Sequence, residues 1–225
     1  LKELPFDPYD FFGYIASGLV LVVVAQLTLG FPRVFGADLK PFDIAVTVLA
    51  VYIAGQIVAG PAKAIFEDFF VHKVLGSPTK NLLRPKPHPM LRVIFPGFYK
   101  PLPPVTCARI AAKAAVVAAG AENAEGIFLT IRYAPEVLAS ASLIAKIDTF
   151  RDMYGFNRNV SFSLLLASLC LAIAGHGQGR AELSHYAIAA FICGALLFYR
   201  YLKFFRQYSY ELFNVYACMG EKGTT

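Results

Sequence analysis

Residues 186–198 read Tyr-Ala-Ile-Ala-Ala-Phe-Ile-Cys-Gly-Ala-Leu-Leu-Phe, and no charge interrupts them before Arg200. Such a run is soluble in hydrocarbon. It opens the longest unbroken segment of the chain, residues 182–219. Beyond the run, Phe198, Leu202, Phe205, Tyr208, Leu212, Val215 and Met219 recur at alternating threes and fours, so they share one helical face. Arg200, Lys203, Arg206, Gln207 and Glu211 occupy the rest of the circumference. Neither Pro nor Gly occurs between Gly194 and Gly220. At 1.5 Å per residue the segment is about 55 Å long, against a hydrocarbon core of about 30 Å. It predicts one helix that crosses a membrane and continues into water.

Composition agrees with that reading. Of 225 residues, 57% are hydrophobic and 16% charged, where a soluble domain is about 45–50% apolar and about 25% charged. The net charge of +6 comes from 21 Lys and Arg against 15 Asp and Glu. In a multi-pass membrane protein such an excess reflects positive-inside loops and anionic headgroups. The four cysteines, Cys107, Cys170, Cys193 and Cys218, are scattered singly with no CxxC pair. Neither a disulfide framework nor a zinc site is expected.

Three further apolar runs precede the last one. The first, residues 11–29, follows Asp7 and Asp10 and lacks a small-x-small cleavage site, so a retained span is expected. Gly13 and Ser17 form a small-xxx-small pair on it, which lets a second helix approach closely. The second run begins near Phe42 and carries the same spacing at Ala50 and Ala54, and again at Gly55 and Ala59. Gly60-Pro61 marks a kink, beyond which helical character returns until Gly76 and Pro78. The third run, residues 160–174, is short. It reaches membrane length only if its helix starts near Phe156, with Arg158 at the interface. The fourth offers Ala190 and Gly194 one turn apart.

Residues 77–104 hold eight prolines and five basic side chains, Lys80, Arg84, Lys86, Arg92 and Lys100, with no acidic residue. Proline density of this kind argues against regular helix, and an extended, ordered strap is expected. Residues 105–119 read as helix. Residues 127–133 fit either a strand or a helix. Pro135 should open another helix that reaches about Met153.

The resulting expectation is an all-α integral membrane protein, with four transmembrane helices in two hairpins and a helical, Pro-rich cytoplasmic layer. Residues 1–60 form the first hairpin and 61–155 the cytoplasmic segment. Residues 156–219 form the second hairpin with its helical extension, and 220–225 a tail. Thirteen Lys or Arg fall between Lys63 and Arg158, while the other inter-span connections hold only Arg33, Lys40 and Arg180. The positive-inside rule then places the long segment and both termini in the cytoplasm.

Chemistry is thin by comparison. The chain has no P-loop, GxGxxG, HExxH or GxSxG, and no cofactor or metal is expected. Glu67, Asp68 and His72 are the best catalytic candidates, because a carboxylate at i,i+4 can orient a His as base. The plainer reading is a surface pair at a helix C-terminus. His176 and His185 lack further ligands for a metal. The spans show no buried ionisable group, which disfavours a proton-coupled or ion-coupled transporter.

The leading function is a non-enzymatic membrane subunit that anchors, scaffolds or signals through its cytoplasmic layer, within an oligomer or larger complex. One alternative is an oligomeric channel or permeabilising effector, lined by Gln26, Gln56, Ser161, Ser163 and Ser168. Another is a membrane-surface enzyme acting on a lipid-like substrate through Asp68 and His72. Lys80, Arg84, Lys86, Arg92, Lys100, Arg158, Arg200, Lys203 and Arg206 are the expected contacts to anionic headgroups or a partner protein. Nucleic acid is disfavoured beside a membrane. Gly13, Ser17, Ala50, Ala54, Ala190 and Gly194 are the expected helix-packing positions. Phe205, Leu212 and Val215 form an apolar stripe that another molecule is expected to cover.

Overall fold

The computed structural model describes residues 8–30, 40–83, 89–117, 124–139 and 141–218. Arg84 and Lys86 lie outside the described residues. Among the described residues every regular element is helical. The elements are α1 (Pro8–Leu29), α2 (Pro41–Ala62), a π-helix (Lys63–Leu75), α3 (Pro78–Leu83), α4 (Pro89–Ile94), α5 (Pro104–Val117), α6 (Ala124–Arg132), α7 (Pro135–Leu138), α8 (Ala141–Gln178) and α9 (Ala181–Cys218). Four segments are long and apolar enough to cross a membrane: Phe11–Leu29, Pro41–Leu83, Ile144–Gln178 and Ala181–Cys218. Their large apolar side chains stay outside; Phe42, Leu49, Ile57, Phe191 and Leu196 are all exposed.

Proline organises the helix starts. Six of the described helices begin on one: Pro8, Pro41, Pro78, Pro89, Pro104 and Pro135. At the first helical position the missing N–H would have had no intrahelical acceptor, and the fixed φ is already helical. This corrects the expected extended strap over residues 77–104. Its prolines do not only break helices; they start α3 and α4. Residues 127–133 lie in α6 and its following turn rather than in a strand.

The chain divides into two compact units. The first comprises Leu1–Asp68 and Asp152–Tyr201. Its α1 and α2 meet backbone to backbone. A Cβ on Gly18 would lie 1.8 Å from the Val51 carbonyl oxygen, and one on Gly55 would lie 1.9 Å from that of Tyr14. Buried Val51, Gly55, Val58 and Ala62 are the α2 seam. Ala50 is exposed and Ala54 half-buried, so the α2 face in contact is one residue on from the expected pair. On α1, Ser17 is fully buried and its hydroxyl donates to the Gly13 carbonyl at 2.8 Å. A Cβ on Gly13 would meet Phe156 at 3.6 Å, an ordinary contact.

In the same unit, α8 faces α9 through Gly194. A Cβ there would sit 2.9 Å from the Leu165 side chain, and the Ser161 hydroxyl donates to the Gly194 carbonyl at 2.7 Å. Gly194 therefore packs within the chain, while Ala190 is half-buried. Val24, Ala167, Leu171, Leu183 and Ala187 form a buried cluster beside them. Gly179, at φ +66°, makes the turn between α8 and α9. From that turn, Gln178 Nε2 donates to the Thr28 carbonyl at 3.0 Å and Arg180 Nη1 to the Leu27 carbonyl at 3.2 Å. These bonds satisfy carbonyls that the end of α1 leaves without intrahelical donors.

The helix that carries the third apolar run starts well before Phe156, as membrane length requires: the run belongs to α8, a single helix of 38 residues. Arg158 and Asn159 do not end it, and the glycines at 175 and 177 continue it as far as Gln178.

The second unit comprises Phe69–Arg151 and Leu202–Thr225. Its core joins Leu82, Leu102, Ile110, Ile131, Val137 and Ile147 to Leu212, Phe213 and Tyr216. Gly76, at φ +80°, stops the π-helix. The Leu75 carbonyl then accepts from Asn81 Nδ2 at 3.1 Å and from the Tyr99 hydroxyl at 3.0 Å. Lys113 Nζ donates to the Tyr216 and Ala217 carbonyls at 2.9 and 3.2 Å, placing a cation on the C-terminal end of α9.

Candidate functional site

Buried charge in the first unit is concentrated where the π-helix begins. Glu67 lies on its first turns and Arg158 on α8, 91 residues away in sequence. Arg158 Nη1 donates to Glu67 Oε2 at 2.6 Å, with about a seventh of either side chain exposed. Arg158 Nε also donates to Asn159 Oδ1 at 3.2 Å. Asp152, Asn157 and Asn159 are buried on the same stretch of α8, and Asn157 Nδ2 returns a bond to the Met153 carbonyl at 2.7 Å.

An aromatic group closes the apolar side of this polar layer. The Phe66 ring packs edge-on against Phe162 and Phe198, at 5.5 and 4.8 Å between centroids. Tyr201 is fully buried, 6.3 Å from Phe66 and 6.3 Å from Tyr154. Edge-to-face pairs of this kind add to the burial of their area. They also keep water from the ion pair on that side, which strengthens its attraction by lowering the local dielectric. Glu67 and Arg158 lie beyond the apolar runs, on the continuations of the helices that carry those runs.

The arrangement ties the π-helix to α8 through one charge-assisted bond. Asp68 and His72 are both exposed, and among the described residues neither joins an ion pair. The His72 ring lies 6.4 Å from that of Phe205. Among the described residues no cluster of His, Cys, Asp and Glu has the makings of a metal site. Burial pushes the Cys107 thiol up, away from the reactive thiolate.

The polar residues considered for a pore are distributed differently. Ser161 and Ser163 are fully buried within the first unit, and Ser168 is half-buried. Gln56 is exposed and donates to the Tyr52 hydroxyl at 2.8 Å.

The basic side chains fall into two groups. Lys80, Arg92, Lys100, Arg200 and Lys203 are exposed. Arg158 and Arg206 are engaged. Arg206 Nη2 donates to the Lys100 carbonyl at 2.7 Å, and its guanidinium lies 5.3 Å over the Tyr210 ring. The apolar stripe of α9 is also spoken for. Phe205 and Leu212 are buried and Val215 half-buried within the chain itself. The chain's own helices are one of the covers such a stripe could have, and side chains from α3, α5, α6, α7 and α8 surround Leu212.

No protein-family model matches the chain, and comparison with curated proteins and with solved structures found no match.

Proposed function

We propose that the protein is a non-enzymatic multi-pass membrane subunit that fixes a small helical layer to one face of a membrane. It works within an oligomer or a larger complex. The observation that carries this reading is the Glu67–Arg158 pair. Glu67, one of the three catalytic candidates of the sequence, is engaged in joining two helices.

Helix lengths support a position for that pair at a membrane boundary. Twenty residues separate Gln178 from Arg158, and twenty separate Ala181 from Tyr201. Each stretch rises about 30 Å, the thickness of a hydrocarbon core. A core that begins at the α8–α9 turn thus ends at the Arg158 layer, where charge meets water. The four spans form two hairpins, α1 with α2 and α8 with α9. The Pro-rich segment and both termini lie on the cytoplasmic side, where the basic residues concentrate. Exposed Lys80, Arg92, Lys100, Arg200 and Lys203 face anionic headgroups or a partner there.

Two measurements test the proposal. Single cysteines at positions 36, 100 and 179, in a Cys-free background, are treated in intact cells with an impermeant thiol reagent. Positions 36 and 179 should react and position 100 should not; labelling of position 100 overturns the orientation. Native mass spectrometry in mild detergent should show self-association or a co-purifying protein. A monomer at every concentration tested, with nothing bound, refutes the role as a subunit.

A further inference from the structure

Helix α4 is a short element whose side chains the fold leaves outside. Its sequence is Pro-Met-Leu-Arg-Val-Ile, and none of the six residues is buried. Met90, Val93 and Ile94 are 65%, 80% and 49% exposed. Their i, i+3, i+4 spacing puts them on one helical face. The exposure is not that of a loose segment. Behind α4, Phe98, Tyr99 and Leu102 are buried in the second unit. The Tyr99 hydroxyl donates to the Leu75 carbonyl at 3.0 Å, and the Leu102 amide to the Leu82 carbonyl at 3.0 Å. The chain is therefore held on its C-terminal side while α4 presents three large apolar side chains outward.

Charge narrows what can cover them. Residues 69–121 contain eight Lys or Arg and no Asp or Glu. Arg92 is exposed within α4 itself, and Lys80 and Lys100 are exposed near its two ends in sequence. A small apolar face inside a long stretch of single-sign charge matches a surface that is anionic outside and apolar beneath. A bilayer leaflet containing anionic lipid is such a surface. A neutral apolar groove on a protein would match the face and leave the charge unanswered.

We propose that α4 inserts its Met90–Val93–Ile94 face into an anionic leaflet, about 5–10 Å below the headgroup surface, while Arg92 and neighbouring basic side chains pair with lipid phosphates. The proposal rests on the reading of the chain as a membrane protein. It adds a specific interfacial anchor and its lipid chemistry. Such a device fixes the helical layer against the membrane without a further span.

The sequence supplies a clean probe, because it contains no Trp. Val93→Trp places one at the most exposed apolar position of α4, where no core contact is lost. The full chain is reconstituted in nanodiscs of phosphatidylcholine, with and without phosphatidylglycerol. The expected result is blue-shifted emission, quenched by lipid brominated near the headgroup end of its acyl chains, and stronger with the anionic lipid. Adding Arg92→Gln should lower the ratio of inserted to lifted α4 by about fivefold, the factor for one basic side chain near a charged surface.

Emission typical of water, quenched by aqueous iodide in both lipids, overturns the proposal. So does blue-shifted emission that brominated lipid leaves untouched, which would mean that protein covers α4. Equal quenching in the two lipids overturns the anionic selectivity. Met90→Trp repeats the measurement from the same face and guards against a local effect at position 93. Protein that fails to float with the lipid defeats the membrane reading itself. Protein that floats with its Trp in water defeats only the insertion of α4.

Discussion

Gly55→Ala should loosen the first unit by about 2 kcal/mol, the net of about 3 lost to overpacking and about 1 gained in helix propensity. The added methyl would start 1.9 Å from the Tyr14 carbonyl oxygen and 2.6 Å from its carbon. Carbon and oxygen in weak contact keep about 3.3 Å, so α1 and α2 must part by about 1.4 Å. Both obstacles are backbone, which cannot rotate away as a side chain can. A gap of about 0.5–1 Å already forfeits a quarter to a half of each dispersion contact along the seam. The gain from Ala applies at any helical glycine and supplies the control. Gly155 lies within α8 with nothing inside 4 Å of its missing Cβ. Gly155→Ala should therefore stabilise by up to about 1 kcal/mol. The assay is reversible unfolding in mixed micelles, followed by helical circular dichroism. Spin labels on α1 and α2 report their separation. Gly18→Ala meets the same crossing, 1.8 Å from the Val51 oxygen. The double variant should thus cost less than the sum of the two, because one separation relieves both clashes. A Gly55→Ala protein as stable as Gly155→Ala, with unchanged label distance, would refute the backbone contact.

Two other perturbations follow from the same coordinates. Glu67→Gln leaves Arg158 charged without its anion and should cost about 2 kcal/mol, between an exposed and a fully buried pair. The same unfolding titration reads it, and recovery in Arg158→Leu/Glu67→Leu would assign the loss to the orphaned charge rather than to lost volume. Leu212→Ala should cost about 2–5 kcal/mol of the second unit's stability, since Leu212 is fully buried there; hydrogen exchange of α5 and α6 should rise, whereas an effect confined to oligomer mass would contradict that burial.

Much of the fold was legible in the sequence because hydrocarbon solubility is a local property. The four apolar runs, the stop at Gly76 and the helix after Pro104 need no distant partner to be read. The helix-packing faces were less legible. Gly13 with Ser17, Ala50 with Ala54 and Gly55 with Ala59 all have the right spacing, yet the backbone crossing sets Gly55 against Gly18, which no such pair includes. Spacing marks faces that can approach; the opposing helix decides which face does, and a shift of one residue turns a helix by about 100°. The strap failed for a different reason. Proline density over residues 77–104 argues for breaks, while a single proline at a first helical position is a starter, as the reading of Pro135 already has it. The third span reaches membrane length only through Arg158 and Asn159, as α8 does. Glu67 supplies Arg158 with an anion from 91 residues away, and no local pattern announces a partner at that distance.

The same distance effect bears on assembly. Read along α9 alone, Phe205, Leu212 and Val215 form a stripe that a soluble surface avoids, and a second molecule is the natural cover. The structure covers Leu212 with Leu82, Ile110, Ile131, Val137 and Ile147, which come from five separate helices. Each of those side chains belongs to a segment too short or too mixed in character to show its own buried face in sequence. Gly194 tells the same story in the first unit, since Leu165 and Ser161 already occupy its open side. Neither feature is then free to draw molecules together. Among the described residues, the outward apolar faces of the spans, several basic residues and α4 stay exposed. Under the proposed assembly, contact between protein molecules would use the span faces within the bilayer or the basic surface outside it. The two routes differ in salt dependence, because only the second is screened.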